Sequence, residues 1–137
     1  MEPLAGPQIA ASRVLIVEDE LLVRIALAGE LRAAGVNVIE TGSADEAWDY
    51  LLAGGAADLL FSDVCMPGSM NGLELANRVK MQHPELSVIL TSGSLSLDEK
   101  DVRFLAKPYN FDNAVRVILD TLALKQSGAA YGAVSHG

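Results

Sequence analysis

Four consecutive apolar residues, Val14-Leu15-Ile16-Val17, run without a polar interruption and stop abruptly at Glu18-Asp19-Glu20. A strand of this kind has no face to give to water, so it belongs at the centre of a sheet covered on both sides. From Leu21 to Ala34, residues Leu22, Ile25, Ala28 and Leu31 recur at helical spacing, and Gly35 follows where a C-terminal cap is expected. Strand, acidic turn and helix form the opening unit of an alternating chain.

The unit repeats. Val36-Asn37-Val38-Ile39 reads as a second strand, and Ser43 with Glu46 makes a capping box for a helix through about Leu52, ended by Gly54-Gly55. Asp58 to Ser62 is a third strand running into Asp63. Leu73 to Gln82 is helical before Pro84, Ser87 to Thr91 is a fourth strand, Val102 to Leu105 a fifth, and Phe111 to about Lys125 the last helix. The alternation predicts an α/β fold: a flavodoxin-like, doubly wound, five-stranded parallel sheet, (βα)5, with right-handed crossovers and helices on both faces. Only about ten residues separate Thr91 from Val102, which is short for a crossover, so the fourth helix is expected to be shortened to a turn or an irregular segment. Residues 1–12 read as a flexible N-terminal arm, 13–125 as the folded domain, and 126–137 as a flexible C-terminal tail.

Composition narrows the classes. At 137 residues, half of them apolar, the chain makes one core-forming domain. Ten Lys plus Arg against 18 Asp plus Glu leave a net charge of −8, which argues against binding nucleic acid or anionic lipid. The single cysteine, Cys65, excludes an intramolecular disulfide framework and fits a reducing compartment. With no apolar run near the length of a bilayer and no leader pattern, the expected location is cytoplasmic.

In an open parallel sheet, ligands bind beyond the carboxyl ends of the strands, where strand order reverses. Just past those ends stand Glu18 and Asp19, Asp63, Thr91 and Ser92, and Lys107-Pro108. Three carboxylates at one edge repel, and either a raised pKa or a bound cation must compensate. Mg²⁺ is the more economical solution, because it takes oxygen ligands, keeps some waters, and needs only one or two carboxylates plus phosphate oxygens. Lys107 adds a compact positive charge, and Thr91 a hydroxyl able to donate to a phosphoryl oxygen. The set points to phosphoryl chemistry at an aspartate.

Val14 to Glu20, Asp63-Val64-Cys65-Met66-Pro67, Gly72, Thr91 and Lys107-Pro108-Tyr109 together resemble the receiver domain of two-component response regulators, over about Arg13 to Lys125. The resemblance implies that Asp63 is the phosphoacceptor, taking a phosphoryl group from a histidine of a sensor histidine kinase or histidine phosphotransfer protein. It implies that Asp19, Asp63 and the backbone carbonyl of Cys65 ligate Mg²⁺, with Glu18 acting through a metal-bound water. Lys107 would contact Asp63 or its phosphate, Thr91, preferred over the competing Ser92, would swing toward the phosphoryl group, and Phe104 matches the aromatic switch position. A cis peptide bond before Pro108 is implied as well. The output would be a protein contact with an unknown downstream partner or a phosphate relay, from a stand-alone signalling protein that is not an enzyme beyond catalysing its own phosphoryl transfer and dephosphorylation.

Three departures from the pattern stand out. The loop Met66 to Gly72 is one residue longer than the commonest form, Glu18 stands where Asp is commoner, and the short fourth unit alters the surface most receivers use for output. The bland alternatives are that Glu18, Asp19 and Glu20 are a solvated helix start, that Phe104, Trp48 and Phe61 are plain packing residues, and that Cys65 is half-buried and inert. Another functional class is a haloacid-dehalogenase-type phosphatase with an Asp nucleophile. That chemistry wants a second acid two residues on, where this chain has Cys65.

Overall fold

The computed structural model describes residues 12–66, 68–93 and 102–126. The expected arm (1–12, except Ser12), the short fourth unit (94–101) and the tail (126–137, except the last helical residue) lie outside them. Five strands alternate with helices: β1 (Arg13–Val17), α1 (Leu21–Ala33), β2 (Asn37–Thr41), α2 (Ala44–Leu52), β3 (Leu59–Asp63), α3 (Gly72–Gln82), β4 (Ser87–Ser92), β5 (Val102–Ala106) and α4 (Phe111–Gln126). All pairings are parallel, in the order β2-β1-β3-β4-β5. The chain turns outward to β2 and then back across β1 to β3, so the order reverses at the carboxyl ends of β1 and β3.

Burial explains why β1 needed no polar alternation. Val14, Leu15 and Ile16 are fully buried, and their side chains divide between two cores. On one face Leu15 and Leu60 meet Trp48 and Leu51 of α2 and Leu75 and Val79 of α3. On the other, Val14, Ile16, Phe61 and Ile89 meet Leu27 and Leu31 of α1 and Ile118 and Leu122 of α4. Each such residue stabilises the fold by about 1.5–3 kcal/mol. A dozen of them outweigh the repulsion of a few carboxylates, so the sheet can carry an acidic edge. Trp48 and Phe61 are packing residues, as expected.

The ends of elements are set by caps that tertiary structure completes. Gly35 takes φ +95° after α1, a conformation a side chain disfavours. The Ser43 box forms by half: Ser43 Oγ accepts from Glu46 N, but the Glu46 carboxylate accepts from Gly42 N instead of Ser43 N. A full box appears at Asn71, whose side chain accepts from Glu74 N while Glu74 accepts from Asn71 N, so α3 starts at Gly72, one residue before the expected Leu73. β2 begins and ends later than the apolar run predicts, at Asn37–Thr41 in place of 36–39. Ser12 is buried and its carbonyl accepts from Asn37 N, which places this residue within the fold.

Candidate functional site

Asp63 is the last residue of β3 and emerges at the point where the strand order reverses. Three hydrogen bonds fix the chain at Asp63 and Val64. Ser62 Oγ donates to Asp63 O at 3.0 Å, Val64 N donates to Thr91 O at 2.9 Å, and Gly72 N donates to Val64 O at 2.9 Å. Lys107 follows β5, its N–H donating to Ser92 O at 2.9 Å, and the bond to Pro108 is cis, as the motif implies. From there Lys107 Nζ reaches Asp63 Oδ2 at 2.6 Å, and Cys65 N donates to Asp63 Oδ1 at 3.3 Å. With the side chains only 12% and 35% exposed, this is a shielded, charge-assisted pair.

Glu18 is almost fully buried and its carboxylate turns back to accept from Glu20 N at 3.0 Å, while Asp19 is exposed. Burial raises the Glu18 pKa above its ordinary 4.5; the Glu20 N–H and the Lys107 charge oppose this, and the charges of Asp19 and Asp63 add to it. Burial pulls the Lys107 ammonium down, but its bond to Asp63 and the charges of Asp63, Glu18 and Glu20 outweigh that, and its pKa lies above 10.5. Tyr109 is pushed up to about 12 by burial and by Glu18 and Asp63. Its ring packs edge-on against Phe61 and Phe111, at 6.0 and 6.4 Å between centroids, which anchors the segment carrying Lys107. Beside the pair opens a cavity of about 450 Å³, lined by Glu18, Glu20, Val23, Lys107, Tyr109 and Phe111 among others.

Within the protein Lys107 compensates Asp63, while burial and the charges of Asp19 and Asp63 disfavour the ionised form of Glu18. Among the described residues no three acidic, Cys or His side chains converge as a ready-made metal cluster. The donor set nevertheless fits a hard cation: the carboxylates of Glu18, Asp19 and Asp63 and the Cys65 carbonyl offer only oxygen. The mutual repulsion felt at Glu18 is the excess negative charge that a divalent ion relieves.

Thr91 is buried and stands beside Asp63 in the β3–β4 register. Phe104 pairs with Leu90 and packs partly against the Leu60 core, whereas Thr91 pairs with Leu105, which faces the other core. By strand alternation Thr91 and Phe104 thus project to opposite faces. Cys65 is exposed, not half-buried as expected, because the chain turns outward after Val64 to bring Met66 back into the core. Motif reading missed Arg24, whose Nη1 donates to Glu18 O, and Asp45, whose Oδ1 accepts from Ser69 Oγ at 2.8 Å in the lengthened loop. Only the Asn71-x-x-Glu74 spacing offered a signal for that loop's far end.

Glu18 has a testable electrostatic consequence. Its folded-state pKa lies above the unfolded value, so its stabilising contribution is present below about pH 4.5 and is lost as pH rises through the folded value. Above the folded value the ionised buried carboxylate is a net cost. In metal-free protein Glu18→Gln is expected to raise stability by roughly 1 kcal/mol at neutral pH. Urea denaturation should show the gap between the two proteins shrinking toward acid pH, and a gap constant with pH would count against this assignment.

The chain belongs to the response regulator receiver domain family, whose sequence profile matches residues 14–118. It is a receiver of the two-component signalling class. Over 116 residues it is 31% identical to the DNA-binding transcriptional regulator NtrC of Azospirillum brasilense, an alignment covering 80% of this chain and 24% of that protein. The receiver domain of the hybrid histidine kinase CckA is 35% identical, with a TM-score of 0.71 over 81% of this chain and 99% of that one. A receiver protein of Sinorhizobium medicae, 22% identical, shares the fold with a TM-score of 0.77 over 84% of this chain and 97% of its own. The chain spans about a quarter of the length of the NtrC relatives it matches.

Proposed function

We propose that Asp63 is the phosphoacceptor, that it is modified in the presence of Mg²⁺, and that the modification switches a protein-interaction surface. The observation that carries this is the Lys107 Nζ to Asp63 Oδ2 contact of 2.6 Å at the reversal point of the sheet. Receiver domains are phosphorylated by histidine kinases or phosphotransfer proteins, and the donor for this chain is proposed to be one of these. An Asp63 carboxylate oxygen attacks phosphorus, the bond from phosphorus to the histidine nitrogen breaks, and the electron pair leaves with the imidazole. Asp19, Asp63 and the Cys65 carbonyl would hold Mg²⁺, with Glu18 acting through water, and the ion would neutralise charge on the phosphoryl oxygens.

Phosphorylation adds about 1.5 to 2 negative charges and three strong acceptors at Asp63. Lys107 then pairs with the phosphoryl group, and the buried Thr91 hydroxyl turns to donate to it. Phe104 is the proposed readout. Since it projects from the face opposite Thr91, the coupling runs through the β4–β5 ladder and not through direct contact. The haloacid-dehalogenase alternative draws no support, since the matched family is a receiver and position 65 carries no acid.

Incubation with acetyl phosphate and Mg²⁺ is expected to add one phosphoryl group per chain, read by intact-mass spectrometry. Hydroxylamine should remove it, as an acyl phosphate requires, and chelation should prevent its formation. No gain under these conditions would overturn the assignment.

A further inference from the structure

We infer that Arg24 is a positioning residue for the acidic loop, and that through it the β2 edge of the sheet sets the strength of cation binding at Asp19 and Glu18. The inference rests on the receiver reading above. Arg24 lies in the first turn of α1, and its side chain folds back so that Nη1 donates to Glu18 O at 3.0 Å. Its own backbone N–H donates to Glu20 O at 2.9 Å. One residue therefore grips both ends of the Glu18–Glu20 turn.

The guanidinium is four-fifths buried, with Nε 3.5 Å from Glu40 Oε1. That N–H is buried and makes no hydrogen bond, so the Glu40 charge is what compensates it. Glu40 also accepts from Arg32 Nη1 at 2.9 Å, and Arg32 Nη2 donates to Val38 O at 3.1 Å, which fixes Glu40 on β2. The neighbouring positions close the frame. Glu18 N donates to Thr41 O at 3.1 Å, and Thr41 Oγ1 donates to Ile16 O at 2.8 Å. At Gly42 a methyl would sit 3.0 Å from Arg24 Nη1, so the turn after β2 leaves room for the guanidinium.

Burying an arginine with one unsatisfied N–H costs free energy that a shorter or apolar residue would not. What it supplies is specific. Lys107 spends a carboxylate oxygen of Asp63, whereas Arg24 brings a positive charge to the acidic turn while holding a backbone carbonyl. It holds the backbone of the turn that carries Glu18 and Asp19, yet spends neither carboxylate. A grip of this kind matters most to a ligand that needs both carboxylates aimed at one point, namely a small divalent cation.

Calorimetric titration of the full chain with Mg²⁺ alone tests this. Arg24→Ala is expected to weaken Mg²⁺ binding by about tenfold, in the range seen when residues supporting metal ligands are removed. Glu40→Gln, which touches neither the acids nor Asp63, should weaken it by a smaller factor, because Arg24 Nε loses its countercharge. Lys125→Met cuts a tie at the opposite end of the sheet, where Nζ donates to Asp58 O and Glu85 O. It should lower Tm and leave Mg²⁺ affinity unchanged, which separates positioning from general stability. Folded Arg24→Ala and Glu40→Gln proteins binding within about twofold of wild type would overturn the inference. If Arg24→Ala does not fold, Glu40→Gln decides by the same criterion. Wild-type protein that binds no Mg²⁺ would instead overturn the receiver reading and this inference with it.

Discussion

Asp63→Asn is expected to take up no phosphoryl group from acetyl phosphate, while wild type is modified to a readily measured fraction. The substitution is nearly isosteric, and it leaves in place the bonds that fix the chain here, from Ser62 Oγ to the residue 63 carbonyl, from Val64 N to Thr91 O and from Gly72 N to Val64 O. What it removes is the anion. A carboxamide oxygen is a poor nucleophile toward phosphorus, and it gives Lys107 Nζ no charge to pair with at 2.6 Å. Of the groups at this edge, Glu18 turns its carboxylate toward the Glu20 N–H and has its pKa raised, and Asp19 is exposed. Neither is shielded and paired with a lysine as Asp63 is, so neither substitutes as acceptor. Phosphate-affinity electrophoresis of the two proteins side by side reads the result, and a shifted Asp63→Asn band would place the acceptor elsewhere. The pair also makes a pH prediction with a definite sign. The Lys107 pKa is raised, so the stability it contributes is complete below about pH 10.5 and is lost as pH rises through the folded value.

Much of this was legible in the sequence, for identifiable reasons. β1 declared itself because four apolar residues in a row can only be buried on both faces, and Val14 to Val17 are. The placement of Asp63 and Lys107 at one edge followed from their positions just past strands, given the rule for parallel sheets. Their contact, across 44 residues, needed the fold. The end of β2 was missed because Glu40 and Thr41 are polar: one is satisfied by two arginines and the other by the Ile16 carbonyl, partners that no local pattern displays. The acidic edge was expected to need either a raised pKa or a cation. Burial and the neighbouring carboxylates raise the Glu18 pKa, and Lys107 pairs with Asp63. Arg24 left no trace in the pattern, since a side chain that bonds a carbonyl six residues back has no helical or strand period.

Gly72→Ala is expected to be the most damaging single-methyl change in the domain. A methyl there would lie 1.9 Å from the Asp63 carbonyl oxygen, 2.8 Å from its carbon and 3.0 Å from Ser62 Oγ. Two of the three obstacles are backbone and cannot rotate away. Relief requires α3 to retreat from β3, which breaks the Gly72 N to Val64 O bond and pulls Met70, Leu75 and Val79 from the core that α3 shares with α2. Overpacking of this severity costs about 3 kcal/mol or more, with Tm falling by roughly 10 °C. Gly29, in α1, supplies the control: nothing lies within 4 Å of a methyl there. Gly29→Ala should therefore stabilise by about 0.5–1 kcal/mol through helix propensity alone. Thermal and urea unfolding of the two variants should move in opposite directions. A Gly72→Ala protein as stable as wild type would mean that the loop after Asp63 has slack the close approach denies. In that case the longer loop, and not the glycine, would be what seats Asp63 against Lys107.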